Sequence, residues 1–400
     1  MFTMAIRKLL RNRRFQKLFS RRIRDRLDPR ERREVVIDVA GACNLRCPSC
    51  PVGSIGYDGK TPGLMDPALF ARLIDKANEE FRVKGVNLFN WGELMLHPQL
   101  PALIRIVKER GLRCILSSNL NLLRDPDAVV GARPDALRVS LSGFSQAIYR
   151  QTHARGDIER VKRNMRELSA ALGRVDPPLP LRRGRDPVVE VYFHKYRHNL
   201  HEVEPMRALA TELGFSFKPV WAYYMPLEKA LALVEGELPA EERAFVERQF
   251  ALPIAEAIDS AREYRSDPCG LLEGQIVLDL EGNLVPCCTI YDMQAHTLGS
   301  YLDLSVADQR SAKRDLAVCQ RCTAHGLHKY FTYSRDARLA QRYEELVARN
   351  LARRGPLAPA AAPPASETAP PASETALPAS ETALPASETA LPASGAPPPA

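Results

Sequence analysis

No apolar run in the 400-residue chain approaches the roughly 20 residues that a membrane span needs. The opening MFTMAIRKLLRNRRF holds too short an apolar stretch for a secretory signal, because charge follows at once. These two absences point to a cytoplasmic protein. A reducing compartment turns the nine cysteines away from disulfides and toward metal binding or catalysis. An even spread of charge is also missing. The formal net charge is +8, and the excess of Lys and Arg is concentrated in residues 1–34, so the chain has a basic arm rather than a basic body. No recognition module accompanies that charge, and no nucleic-acid partner is expected. Hydrophobic residues at 45% and charged residues at 26% suit a soluble globular protein, and the length allows one large domain with a smaller one.

Three composition zones follow. In residues 1–34 the apolar positions Phe2, Ile6, Leu9, Leu10, Phe19, Ile23 and Leu27 suit one or two amphipathic helices. Such an arm can pack on the body with its basic face solvated, or meet a membrane surface or an acidic partner. Residues 357–400 repeat the heptad PASETAL, from about Pro371 to Leu391. A proline in every repeat forbids a continuous helix, and too few apolar residues offset the ordering entropy, so a disordered tail is expected. Between these zones the expected division is a core over 35–230, linker helices and a cysteine-bearing segment over 231–335, and a C-terminal helix over 336–356.

Within the core, strand-like runs at Val35–Val39, Gly85–Asn90, Arg113–Ser118, Ala136–Leu141, Val188–Phe193 and Phe215–Val220 alternate with helical stretches such as Pro67–Glu80 and Gln99–Arg110. Asp66 followed by Pro67 reads as a helix start and Gly111 as a stop. Six strands alternating with helices predict an α/β fold with a parallel sheet, open or curled into a partial (β/α)6 TIM-like barrel. Functional residues should then follow the strands, at their carboxyl ends.

The run V-V-I-D-V-A-G-A-C-N-L-R-C-P-S-C-P places Cys43, Cys47 and Cys50 in a C-x3-C-x2-C pattern just beyond the first strand. Three thiolates on one tight loop can hold three corners of a 4Fe–4S cube and leave the fourth iron open. A zinc site and a reactive thiol pair are the alternatives, although structural zinc prefers four ligands in paired C-x2-C halves.

This cysteine pattern resembles the signature of the radical S-adenosylmethionine (SAM) superfamily, and the resemblance extends over residues 35 to about 325. It implies that the open iron chelates the methionine part of SAM. It implies further that the reduced cluster cleaves SAM to a 5′-deoxyadenosyl radical, which takes a hydrogen atom from the substrate. The cofactor carries that chemistry and the protein positions it. Asn90-Trp91-Gly92-Glu93 resembles the family's G-G-E motif for the SAM amino group, with Trp91 where glycine is usual, which assigns Gly92 and Glu93 to SAM binding. Ser117, Ser118 and Asn119 follow the third strand and can line the site. Ser140-Leu141-Ser142-Gly143 resembles the segment whose serine meets the ribose, and Ser142 is favoured over Ser140. Arg155-Gly156 resembles the arginine that pairs with the SAM carboxylate; a bland solvated arginine suits the position nearly as well.

A second set comprises Cys269, Cys287, Cys288, Cys319 and Cys322. The run between Cys269 and Cys287 reads as a hairpin with an Glu-Gly-Asn turn, returning the chain so that the two cysteines can meet at one metal. The set resembles the C-terminal twitch domain of the superfamily, and the start and end of its longer SPASM domain, without about three of the SPASM cysteines. The resemblance implies one auxiliary 4Fe–4S cluster on Cys269, Cys287, Cys319 and Cys322, with Cys288 an ambiguous neighbour of Cys287. Zinc would also suit four cysteines. Cys114, inside the third strand, is a core residue.

An auxiliary cluster with no open iron can accept the second electron of an oxidation. The expected activity is therefore a radical SAM oxidation of a small molecule, supplied by a reductant such as flavodoxin or ferredoxin. A peptide-modifying maturase of the SPASM type is a second reading, lowered by the few residues before the first strand. A non-catalytic zinc- or cluster-bearing binding protein is a third. Glu190, Tyr192 and His194 alternate on one face of the fifth strand and can approach the substrate, as can Tyr223 and Tyr224 after the sixth. No general base is assigned.

Overall fold

Val35, Val36 and Ile37 are consecutive and all buried, the pattern of a strand covered on both faces. The computed structural model describes residues 30–56, 63–176 and 188–355. The expectations for the arm through residue 29 and for the PASETAL segment lie outside the described residues. The first strand, β1, spans Arg32–Ile37. It is followed by β2 (Arg82–Asn87), β3 (Cys114–Ser118), β4 (Ala136–Leu141), β5 (Val189–Lys195) and β6 (Ser216–Trp221). These six run parallel, each beside the next, as a partial barrel that does not close.

The expected hairpin forms β7 (Gln275–Leu278) and β8 (Leu284–Val285), antiparallel to each other. Its placement was not legible in the sequence. The first arm, β7, pairs parallel with the free edge of β1, Val35 facing Ile276 and Ile37 facing Leu278, so the sheet has eight strands in the order β6-β5-β4-β3-β2-β1-β7-β8.

Most strand boundaries shift by one to three residues from expectation, and two of the shifts have a clear physical reason. β1 begins three residues early, at Arg32, because Arg32 and Arg33 find partners in Arg82 and Val83 of β2. β2 ends at Asn87 rather than Asn90, because the amides of Asn90, Trp91 and Gly92 turn away from the ladder toward one side-chain carboxylate. The helix Pro67–Glu80 is as predicted: Asp66 accepts from Leu69 N at 3.0 Å and Pro67 occupies the first turn. Leu100–Glu109 ends before Gly111, whose φ of +70° suits a helix stop. The C-terminal helix is Ala337–Arg354, capped by Asp336.

Alternation along the strands divides the interior. Val35 and Ile37 of β1, and Ile276 and Leu278 of β7, join Leu73, Ile104 and others under the outer helices. Val36, Val277 and Val285 point to the inner face, where they share a core with Tyr224 from the loop after β6 and with Tyr330 and Tyr343 of the C-terminal helices. Among the described residues, no helix is long and apolar enough to cross a membrane.

Removing the Leu73 side chain, fully buried among these outer helices, should lower the unfolding free energy by about 2–5 kcal/mol. Asp66→Ala should cost about 1 kcal/mol through the lost cap. Urea titrations of the two variants check this ranking, and equal losses would contradict it.

Candidate active site

The loop after β1 carries Cys43, Cys47 and Cys50, all half-buried. It folds tightly on itself: Cys50 N donates to Cys47 O at 3.0 Å and Leu45 N lies 3.4 Å from Cys43 Sγ. Arg46 turns back to the carbonyls of Cys43 and Leu45. Burial pushes Cys43 up to about 12 and Cys47 well above the ordinary thiol range, and the neighbouring thiols add to the shift. Such thiols are poor free nucleophiles, and they give up their protons most readily to a metal. Three thiols on one tight loop, with no fourth cysteine on it, therefore fit a 4Fe–4S cluster better than a reactive thiol pair. Among the described residues, no three Cys, His, Asp or Glu side chains gather closely enough for one metal ion. Thiolates on a cubane each bind a different iron and need not converge on one point.

The loop after β2 is held against this cysteine loop by a residue that the sequence reading passed over. Asp38, one residue beyond β1 and 1% exposed, accepts at Oδ1 from the amides of Asn90 (3.2 Å), Trp91 (3.0 Å) and Gly92 (3.0 Å). Glu93 N then donates to Ala42 O at 2.8 Å. Gly92 packs so closely that a Cβ there would lie 1.7 Å from Ala40 O. A carboxylate at the carboxyl end of the first strand was the available signal for Asp38.

Glu93 is buried. Its Oε1 accepts from Ser118 Oγ at 2.7 Å and Met95 N at 3.0 Å, and its Oε2 from Asn119 N at 2.9 Å. Burial raises its pKa, and the bonds from Asn119, Ser118 and Met95 pull it back. A carboxylate offers about four acceptor positions, so one on Oε2 remains for a further donor. Asn119 also reaches Asn44 Oδ1 at 2.9 Å, which places the end of β3 beside the cysteine loop. Ser117 faces the inner side, half-buried.

Ser142 is buried beyond β4, and its carbonyl accepts from Asn199 Nδ2 at 2.9 Å. The next turn is fixed by Glu202, which accepts from Phe144 N at 2.6 Å and from Ser145 N and Oγ. Arg155 is exposed with φ +70°; its neighbour Ala154 accepts from Arg46 N at 3.0 Å, so this turn abuts the cysteine loop. His153 stacks on Tyr149 at 4.4 Å. Burial holds His153 down to about 3 and His194 down to about 4.

The second cysteine set lies at the other end of the sheet. β8 runs against β7, Val285 opposite Val277, so Cys287, two residues on, is level with the start of β7 at the amino ends of the parallel strands. Cys269 caps the short helix that leads into β7. Cys319 and Cys322 sit on the helix Ala317–Ala324. Burial is the largest cause that raises Cys269, Cys319 (to about 11) and Cys322, and the charge of Cys287 adds to all three, whereas Cys287 itself is lowered to about 7, chiefly by its hydrogen bond with Cys288. Cys288 bonds to Cys287 and favours its thiolate, but otherwise faces Arg335 and Tyr223. Lys313, whose pKa burial lowers to about 8, stands against the same thiols, with Nζ bonded to the carbonyls of Leu272 and Gln275. Cys114 is fully buried in the core.

Trp91 bridges the two regions. Its Nε1 donates to Ile290 O at 2.8 Å, and its ring meets Tyr291 edge-on at 5.6 Å. Tyr291 in turn donates to Gly56 O, beyond the first cysteine loop. On the face between the two cysteine sets lie Glu190, Tyr192 and His194, whose alternation along β5 is as expected. Tyr223 stands beside them, ringed by Tyr330, Phe331 and Tyr333, whereas Tyr224 is turned into the helical packing, bonded to Glu242.

Residues 37–176 match the profile of the radical SAM superfamily. Over 140 residues the chain is 30% identical to a GTP 3′,8-cyclase from Chlorobaculum tepidum, covering 34% of this chain and 41% of that protein. Over 89 residues it is 32% identical to a tungsten-containing aldehyde ferredoxin oxidoreductase cofactor-modifying protein from Pyrococcus furiosus, covering 22% and 24%. The chain thus spans less than half the length of these curated relatives. Among solved structures it is similar to Streptococcus suis SuiB bound to precursor peptide SuiA, at 11% identity and a TM-score of 0.48, over 78% of this chain and 74% of that one. It is also similar to BtrN in complex with AdoMet and 2-DOIA, at 13% identity and a TM-score of 0.39, over 79% and 91%.

Asp38→Ala would leave three amides, that of Trp91 buried and those of Asn90 and Gly92 half-buried, without an acceptor and should cost about 3 kcal/mol, whereas Asp38→Asn keeps an acceptor oxygen and should cost less; thermal unfolding of the pair checks the order. His153 and His194 stay neutral in the fold, while the unfolded chain protonates them near 6.5. The unfolded state then binds more protons below pH 6.5, so their contribution to stability should fall from pH 6.5 downward, the His194 part levelling off near 4 and the His153 part near 3. A His153→Gln/His194→Gln variant should lose less of its unfolding temperature between pH 7 and 5 than the parent; an equal loss would rule this out.

Proposed function

We propose that this chain, which carries a radical SAM domain over residues 37–176, binds a 4Fe–4S cluster on Cys43, Cys47 and Cys50 with SAM beside it. A second 4Fe–4S cluster sits on Cys269, Cys287, Cys319 and Cys322. With it the enzyme oxidises a substrate held on the inner face of the sheet. A 4Fe–4S cluster held by Cys43, Cys47 and Cys50, with SAM beside it, would supply hydrogen-atom abstraction from the substrate. The observation that carries the reading is the placement of the two cysteine sets at opposite ends of one sheet, with a half-buried polar face between them.

The chain's own residues have positioning roles. Asp38 pins the Trp91–Glu93 turn against the cysteine loop. Gly92 permits the close approach that puts Glu93 there. The remaining acceptor position of Glu93 suits the ammonium of SAM, since an ionised pair strengthens such a bond. Ser142, in the turn that Asn199 and Glu202 fix, suits the ribose, and Arg155 lies on a turn against the cysteine loop where it can meet the carboxylate. The C-terminal aromatic packing limits water on the inner face, which protects a reactive intermediate. The four thiols of Cys269, Cys287, Cys319 and Cys322 would leave an auxiliary cluster no open iron, so it would supply electron acceptance rather than substrate binding. A one-electron reductant of the flavodoxin or ferredoxin type completes the cycle.

Anaerobic reconstitution with iron and sulfide, followed by SAM and dithionite, should yield 5′-deoxyadenosine by mass spectrometry, and the Cys43→Ala/Cys47→Ala/Cys50→Ala variant should yield none. No product from a parent fully loaded at both sites would overturn the assignment. Iron analysis separates the two neighbouring cysteines: Cys287→Ala should drop the content from about eight to about four irons per chain, and Cys288→Ala should leave it unchanged.

A further inference from the structure

The inner face between the two cysteine sets carries more positive charge than its own acids answer. Register places Ser117, Arg138 and Glu190 in one row across β3, β4 and β5, and Ser140, Tyr192 and Lys218 in the next row, across β4, β5 and β6. Their strand neighbours Leu137, Val139 and Val191 belong to the core under the outer helices, so these rows look inward. The Arg138 guanidinium lies 4.5 Å over the Tyr192 ring and 5.8 Å over Phe89. Lys218 Nζ is 5.4 Å from the same Tyr192 ring. Arg335 belongs to the turn Tyr333–Arg335, which is held to the end of β6 by Tyr333 Oη donating to Trp221 O at 3.2 Å and by the Tyr333 ring 6.3 Å from that of Tyr223, so it comes to this space from the C-terminal side, where its charge also acts on Tyr192 and Tyr223.

Several arginines elsewhere are paired with an acid, among them Arg110 with Asp75, Arg174 with Asp127 and Arg321 with Glu235. Among the described residues Arg138, Lys218 and Arg335 make no ion pair. The acid in the same row, Glu190, stands beyond ion-pair distance of Arg138 and keeps a buried Oε1 with no hydrogen-bond partner. Glu344, toward the C-terminal helix, is already held by Trp221 Nε1 at 2.7 Å. Tyr192 and His194 are neutral and offer hydrogen bonds without charge. A half-buried guanidinium without a counter-ion is costly to keep unless a ligand completes it.

We propose that the substrate carries a carboxylate or phosphate, gripped between Arg138 and Arg335, with a hydroxyl or amine beside it that donates to Glu190 Oε1. This rests on the functional reading above, which puts substrate on this face. It narrows the substrate class to hydroxy or amino acids and phosphate esters. Two guanidiniums that reach an anion from different elements can each donate a fork of hydrogen bonds, which a neutral ligand cannot use.

The test uses the reconstituted full chain saturated with SAM, so that the SAM carboxylate cannot account for the result. Isothermal titration at constant ionic strength is run with inorganic phosphate, succinate and neutral succinamide. Phosphate or succinate should bind with millimolar affinity or tighter, and succinamide should not. Arg138→Gln and Arg335→Gln should each weaken the anion about tenfold, a shift the titration resolves readily. Arg335 is exposed, so its variant keeps the fold even where Arg138→Gln does not. Stronger binding of phosphate would assign a phosphate ester, and stronger binding of succinate a carboxylic acid. The proposal is overturned if neither anion binds, if succinamide binds as well as succinate, or if Arg335→Gln retains the parent affinity. SAM binding, followed in the same preparation, separates the two claims. Anion binding without SAM binding would sink the functional reading and leave the anion site, and SAM binding without anion binding would do the reverse.

Discussion

A single buried carboxylate organises the carboxyl end of the sheet. Asp38 gathers three successive amides from the turn after β2, and everything nearby inherits its position from that grip. Amides turned away from water demand partners, and one side-chain oxygen here serves three of them. The turn is therefore held at a fixed distance from β1, Gly92 is pressed against Ala40, and Glu93 is delivered to the end of β3, where Ser118 and Asn119 fasten it. The same grip shortens β2, since amides turned toward Asp38 cannot stay in the ladder.

The second constraint is the edge of β1. A parallel sheet that ended there would leave a row of backbone groups unpaired. The hairpin arm β7 covers that edge, and because β8 returns antiparallel, it carries Cys287 to the amino ends of the strands. Pairing thus does more than extend the sheet. It sets the two groups of thiols apart, with Trp91 and Tyr291 as the rigid link between them.

Between those ends, the inner face is divided. Toward β1 and β7 it is apolar and filled by the aromatic side chains of the C-terminal helices. Toward β4 and β5 it is polar and holds the unmatched charges of Arg138 and Arg335. A fold that packs one half of the face densely and leaves the other half charged has concentrated its recognition chemistry in a small space, where low polarizability makes each charge count for more.

Much of this was legible in the sequence where the relevant residues lie close together in the chain. The cysteine loop spans eight residues, the cap at Asp66 acts over three, and the alternation of Glu190, Tyr192 and His194 is a property of one strand; local geometry alone determines such features. The parallel order of six strands followed from their alternation with helices. What the sequence could not disclose are the contacts made across long stretches of chain: Asp38 with Gly92 over 54 residues, Trp91 with Ile290 over 199, and the seat of β7 beside β1. These depend on which edge a strand pairs with and which way a helix returns, choices among many arrangements of similar local energy. Only the packing of the whole chain decides among them.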